Sequence, residues 1–268
     1  MTRFGVTSSV EAVDLALFRY CIPAILFFPY LLKNGFFPRG EKPLWIVLII
    51  AGGGLPFGVL VMTGAKLAPA SHIAVLMPGA MPLFVILLSR IFLKSTVTPG
   101  KVVGLVILLL GIFSIVWEAV LTIGMATIIG DLLLLLAAFI WAIYTIAFQK
   151  TNLSAWHGAA LISFWSSFFA FGLWLLTHKG GIYQASWNHL FMQLIWQGIL
   201  AGIVGMWVYG YGMKAIGATK SATIGALLPA VTLIGGWVFL KEVPTELASF
   251  GVILALAGVY LVNRDESE

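Results

Sequence analysis

The sequence predicts an all-α integral membrane protein built as an inverted-repeat helical bundle, and three observations support that fold class. Of the 268 residues, 61% are apolar and 9% charged, which leaves too little polar surface for a soluble globule. The apolar residues gather in runs close to the roughly 20 residues a helix needs to cross the hydrocarbon layer. The second half also repeats the first. Sliding the chain by 147 positions pairs Gly58 with Gly205, Pro82 with Pro229, Phe92-Leu93-Lys94 with Phe239-Leu240-Lys241, Gly104 with Gly251 and Gly111 with Gly258.

In chain order the apolar runs place nine transmembrane helices near 11–32, 43–64, 70–93, 101–118, 128–148, 156–177, 191–212, 217–240 and 247–262. A transmembrane barrel would need alternating segments of about 10 residues, and the run from Asp131 to Phe148 shows no such alternation. Under the same shift 11–32 matches 156–177, 43–64 matches 191–212, 70–93 matches 217–240 and 101–118 matches 247–262. Helix 128–148 is left without a partner. The expected organisation is therefore two repeats, 1–122 and 123–268, of a ten-helix fold whose first helix would lie before Met1. Five helices per repeat is an odd number, so the second copy enters the membrane from the opposite side, and two such halves can rock about a shared central cavity. Met1 to Ser9 lacks the apolar stretch of a signal peptide.

The formal charge of +5 reads as topology, because basic residues in a membrane protein report which loops stay inside. With the loop Lys33 to Lys42 in the cytoplasm, the inner set is Lys33, Arg39, Lys42, Arg90, Lys94, Lys101, Lys150, Lys214, Lys220 and Arg264. The outer set is Arg3, Lys66, Lys179 and Lys241, and Arg19 stays inside the bilayer. This places the C-terminus in the cytoplasm and the N-terminus outside. The sole cysteine, Cys21, forms no internal disulfide and packs as a small apolar residue.

The repeated small residues have a physical role of their own. Gly104 and Gly111, like Gly251 and Gly258, lie seven apart and share nearly one helical face, where backbones can approach closely. Pro82 and Pro229 fall inside hydrophobic helices, where the missing N–H and the ring clash favour a kink. With Pro78 adding to the disruption beside Pro82, these three prolines are candidates for shaping a cavity, against simple bending.

These features resemble the drug/metabolite transporter superfamily in its EamA-type branch. The resemblance rests on Asp14-Leu15-Ala16-Leu17-Phe18-Arg19-Tyr20, on Ala68 through Ala74 with Met81-Pro82-Leu83, on Ala222 through Val231, and on the glycine pairs seven apart. An acidic residue ends the second copy's fourth helix as Glu242, where the first copy has Ser95. The resemblance implies a ten-helix transporter fold, a cell (inner) membrane location, and export of amino acids or related metabolites.

Arg19 is the most informative single residue, since a charge in mid-helix costs roughly 2.5–3.5 kcal/mol on insertion scales. Either it holds an anionic group of a solute, or it pairs with Glu11, Asp14 or backbone carbonyls and orders the bundle, or it snorkels toward a water-filled vestibule. Trp165 lies next to the position that corresponds to Arg19 under the shift and is a candidate for stacking on solute. His72, one turn into its helix after Pro69, is a candidate at the outer part of the cavity, and histidine suits a proton-coupled role. Trp141 and Tyr144 are three apart on one face and either line the cavity or pack. Trp207 and the aromatics near helix ends read as interfacial belts. Asp131 reads as the opening of its helix and Glu118 as a boundary residue.

Catalytic and cofactor signals are missing from the sequence: Gly52-Gly53-Gly54 leads into no phosphate-binding pattern, and no Cys/His cluster has metal spacing. The expected function is movement of a small polar metabolite by alternating access. Its partners are a small solute and the lipid bilayer, with a homodimer as an allowed assembly, no nucleic acid and no cofactor. A lipid or lipid-carrier flippase, a passive channel and an intramembrane enzyme are the competing readings.

Overall fold

A computed structural model describes residues 2, 5, 10–118, 124–225, 231, 234–235, 237–239, 241, 243 and 245–264. Among the described residues the chain is helical, without strands. Six segments are long and apolar enough to cross a membrane: Ala12–Asn34, Pro43–Leu67, Val75–Phe92, Met125–Gln149, Ala155–Thr177 and Trp187–Ile216. Pro99–Ser114 and Glu246–Val262 are shorter apolar helices. Of the span expected over 217–240, a helix is described for Ala218–Gly225, and Pro229 lies outside the described residues.

Contacts divide the chain into two compact units. The first comprises Met1–Met62 and Ile143–Gly217, the second Thr63–Ala142 and Ala218–Glu268. Each unit thus combines helices from both sequence halves.

In the first unit, α1 (Ala12–Asn34) opens with a reciprocal cap. The Glu11 carboxylate accepts from the Asp14 amide, and Asp14 Oδ2 accepts from the Glu11 amide at 3.0 Å. The helix ends at Gly35, whose φ of 92° suits a residue without Cβ, and whose amide donates to the Leu31 carbonyl. After α2 (Pro43–Gly53) the chain breaks at Gly54 and resumes as α3 (Leu55–Leu67).

The second unit begins within α3 and continues through α4 (Ala70–Ala74), a π-turn at Val75–Gly79, α5 (Met81–Phe92) and α6 (Pro99–Glu118). The sequence places Pro82 inside the helix 70–93, with a kink at the proline. In the structure the break precedes it, and Pro82 sits in the first turn of α5, where its missing N–H leaves nothing unsatisfied. α7 (Met125–Gln149) runs from the second unit back into the first.

α8 (Ala155–Thr177) then packs antiparallel along α1. Trp174 Nε1 donates to Asp14 Oδ1 at 2.8 Å near one end, the Cys21 thiol lies 3.9 Å from the Ser167 carbonyl at mid-length, and Phe27 meets Trp156 edge-on at 5.3 Å near the other end. After the short α9 (Gly181–Gln184) comes one long segment. It comprises α10 (Trp187–Gln193), a π-helical stretch over Leu194–Gly205 and α11 (Met206–Ile216). Gly198 and Gly202 of that stretch lie against Ile22 and Pro23 of α1.

α12 (Ala218–Gly225) and α13 (Glu246–Arg264) complete the second unit. There α6 and α13 cross antiparallel with their glycines face to face. A Cβ on Gly104 would stand 2.6 Å from the Gly258 carbonyl oxygen, and one on Gly111 2.7 Å from that of Gly251. Leu76, Leu108, Leu134 and Ala255 fill the core around this crossing.

Candidate functional site

Two polar clusters stand out, one in each unit. The cluster in the first unit is built on the broken helix α2–α3. The break leaves the Leu55 amide without a helical partner, while the Gly54 carbonyl accepts from the Gly58 amide at 3.0 Å, and side chains from two neighbouring helices bond to both groups. Tyr20 of α1 donates its hydroxyl to the Gly54 carbonyl at 2.5 Å, and Ser166 Oγ of α8 accepts from the Leu55 amide at 3.1 Å. Gly58 leaves room for the Tyr20 ring. Ser166 corresponds to Arg19 under the 147-residue shift.

Arg19 sits next to that clamp. Its guanidinium lies 5.8 Å from the centroid of the buried Phe57 ring and beside the Tyr20 phenol. Neither acidic residue considered from the sequence pairs with it. Asp14 is occupied by Trp174 and the Glu11 amide, and Glu11 Oε2 accepts from the Lys179 amide at 3.1 Å. Among the described residues no carboxylate forms an ion pair with Arg19. A cation–π contact is worth about 0.5–2 kcal/mol, less than the roughly 2.5–3.5 kcal/mol of inserting the charge. The half-buried guanidinium therefore keeps capacity for an anion or water.

Trp165 is placed next to this clamp by its neighbour Ser166. Its indole N–H points at the Phe36 carbonyl at 3.4 Å, and its ring lies 5.0 Å from that of Phe37. It borders a cavity of about 670 Å³ walled by Ile46, Ile50, Leu55 and Phe169, with Glu41 at its edge. Tyr144 is buried near the Phe148 and Tyr209 rings. Trp207, read as a belt residue, stacks on Trp156 at 5.4 Å.

The cluster in the second unit corrects the reading of Asp131. That residue does not open its helix: α7 starts at Met125, and Asp131 lies inside it with 1% of its surface exposed. His72 is equally buried, and its Nδ1 stands 3.0 Å from Asp131 Oδ1 and 3.1 Å from Oδ2. Close backbone approach brings them together. A Cβ on Gly130 would lie 2.9 Å from Leu67 Cβ, and Thr127 Oγ1 reaches the Leu67 carbonyl at 3.4 Å. Trp141 is buried further along α7, and the backbone of Pro78 falls in the π-turn that follows His72's helix.

Arg19, Tyr144 and Trp165 thus belong to the first unit, and His72, Trp141, Pro78 and Pro82 to the second. Sequence reasoning missed Tyr20, Ser166 and Gly54. The signal for Gly54 was present, since Gly52-Gly53-Gly54-Leu55-Pro56 is a strong helix breaker inside an apolar span. Nothing local marks Tyr20 or Ser166, whose roles exist only once three helices meet.

A profile of the EamA-like transporter family matches residues 1–117 and 128–264. The chain belongs to the EamA-like transporter family. It is therefore a multi-pass membrane protein of a transporter family. It is 27% identical over 264 residues to an uncharacterized transporter, YdfC, of Bacillus subtilis (strain 168), covering 95% of this chain and 84% of the relative. It is 27% identical over 219 residues to a second from that organism, YoaV, covering 78% and 71%. A protein of Streptantibioticus cattleyicolor named a probable terminal-alkyne amino-acid exporter is 28% identical over 232 residues, 85% of this chain and 75% of that one. A crystal structure of 18% identity superposes with a TM-score of 0.70 over 96% of this chain and 91% of the other, which shows the shared fold.

Proposed function

We propose that this protein exports small zwitterionic metabolites, amino acids foremost, across the cell membrane by alternating access. In this reading 1–122 and 123–268 are inverted copies, the N-terminus is outside and the C-terminus is cytoplasmic. Arg19 holds the solute carboxylate at the broken helix, Trp165 stacks on its side chain, and Tyr144 backs the wall. The carrying observation is the Arg19 guanidinium, a cation in mid-helix whose two candidate carboxylates are committed elsewhere.

The inverted repeat is supported by an exchange relation. Under a two-fold axis, contact between Gly104 and Gly258 requires contact between their counterparts Gly251 and Gly111, and both pairs meet in α6 and α13. The corresponding helices α1 and α8 likewise run antiparallel. Corresponding spans are also both irregular, broken at Gly54 in one copy and π-helical through Leu194–Gly205 in the other. Discontinuous helices of this kind hold solutes in secondary transporters. The relative named as an amino-acid exporter supports the solute class.

The test is counterflow of radiolabelled proteinogenic L-amino acids in proteoliposomes. Wild-type protein should exchange at least one of them, Arg19→Ala should reduce that exchange at least about tenfold, and Arg19→Lys should lie between. A folded Arg19→Ala variant with unreduced exchange removes Arg19 from the site. The apolar cavity beside Trp165 favours one second reading, a lipid flippase. Fluorescent-phospholipid translocation in the same vesicles without amino-acid counterflow would select it.

A further inference from the structure

We propose that His72 and Asp131 form the proton-binding site that couples this carrier to the transmembrane proton gradient, an inference that rests on the transport reading above. The two side chains are 0% and 1% exposed and face each other at 3.0 Å in the core of the second unit. An ionised carboxylate only accepts, so the imidazole presents its Nδ1–H to it, which leaves Nε2 as the other end of the ring. Among the described residues that Nε2 is buried without a hydrogen-bond partner. Buried polar atoms are rarely left so, and an exception calls for an explanation. A nitrogen that alternately carries and releases a proton supplies one.

The charge arithmetic gives the coupling. With one proton on Nε2 the pair is imidazolium and carboxylate and has no net charge. Without it, neutral imidazole and carboxylate leave one buried negative charge, which an apolar surrounding disfavours. Proton release therefore goes with exposure of the pair to water, and a carrier that exposes it to each side in turn moves one proton per cycle.

The π-turn that follows His72 carries no ionisable residue, and on α13, packed against α4, Glu246 is exposed at the start. Lys66 of α3, Arg90 of α5 and Lys220 of α12 are exposed, and Lys101 opens α6. The π-turn also supplies an irregular backbone of the type that marks functional breaks in helices.

The experiment compares amino-acid accumulation in proteoliposomes with and without an imposed pH difference, each protein normalised to its own gradient-free exchange. Wild-type accumulation should rise roughly tenfold per pH unit for one exchanged proton, and in Asp131→Asn and His72→Gln the rise should vanish. Folded variants that keep the rise overturn the inference while leaving the export reading intact. Absence of counterflow from wild-type vesicles overturns the export reading instead.

The proton site is then decided without solute, by nitrogen NMR of a variant in nanodiscs that keeps His72 alone (His157→Gln, His178→Gln, His189→Gln). An imidazole that gains and loses a proton reversibly in the folded protein as the pH is varied supports the site. An imidazole locked in one state throughout overturns it, and this measurement also covers the case in which Asp131→Asn fails to fold.

Discussion

Replacing Gly104 by alanine tests whether α6 and α13 are held by backbone approach. The new Cβ would stand 2.6 Å from the Gly258 carbonyl oxygen and 2.9 Å from the Val262 amide nitrogen. An ordinary C···O approach is about 3.3–3.6 Å, so the helices must part by roughly 0.7 Å. A gap of that size forfeits about a quarter to a half of each dispersion contact. With a few tens of atom pairs at about 0.1–0.2 kcal/mol each, the loss is on the order of 1–2 kcal/mol, within the usual range for overpacking.

Alanine's better helix propensity returns at most about 1 kcal/mol, so the net effect is destabilising. Gly172 of α8 is the control, because a Cβ there meets nothing within 4 Å. Unfolding in detergent should show a lower midpoint for Gly104→Ala and an equal or higher one for Gly172→Ala. Adding Gly258→Ala to Gly104→Ala should cost less than the single change, since the helices have already separated. A Gly104→Ala protein as stable as wild type would refute the close crossing.

Two further substitutions probe the polar clusters. Gly130→Ala places a Cβ 2.9 Å from Leu67 Cβ and 3.0 Å from the Ala68 amide. It should lower stability by about 1–3 kcal/mol and weaken the response of accumulation to a pH gradient, both measurable on one reconstituted preparation. Ser166→Ala strips the acceptor from the buried Leu55 amide, so a loss of about 1–3 kcal/mol should appear in the same detergent titration. A neutral result there would mean that the break at Gly54 does not depend on its clamp.

Much of the architecture was legible because lipid leaves so few choices: an apolar run of the right length must be a helix. α1, α6, α8 and α13 accordingly begin and end within a few residues of their expected limits. The interruptions were less legible. Pro82 was visible as a disturbance, but which turn would yield depends on how Val75–Gly79 packs against α6 and α13. Asp131 was misplaced for a related reason, since the apolar start Met125–Ile129 gives no cue that the helix has already begun. Its partner lies 59 positions away and could be found only in three dimensions.

Arg19 was recognisable alone because a mid-helix charge is exceptional, whereas the tyrosine and serine look ordinary until the broken backbone at Gly54–Leu55 is seen to bond to them. The glycines were legible as contact faces. That Gly104 meets Gly258 and not its own counterpart Gly251 follows from antiparallel packing, which periodicity does not encode.

Lys94 and Lys241 carry the last prediction. Among the described residues they alone combine a side chain with a positive φ, at 55° and 56°, and they are counterparts under the 147-residue shift. Lys94 follows the end of α5, and Lys241 follows helical residues 237–239. A left-handed residue commonly ends a helix, and a cation suits the C-terminal end of the helix dipole. On the proposed orientation Lys241 is one of the few basic residues outside, and the cap explains it without reference to charge bias.

The left-handed conformation costs a non-glycine residue about 1–2 kcal/mol, and a β-branched residue tolerates it worst. Lys94→Val and Lys241→Val should therefore each destabilise the protein by more than about 1 kcal/mol. The glycine variants should be close to neutral, because the relief of strain is offset by a looser unfolded chain. If the two copies are the same cap, the two valine variants lose similar amounts in a denaturant titration. Valine tolerated at both positions would show that neither backbone is held left-handed, and a large loss at one position alone would show that the two helix ends are built differently.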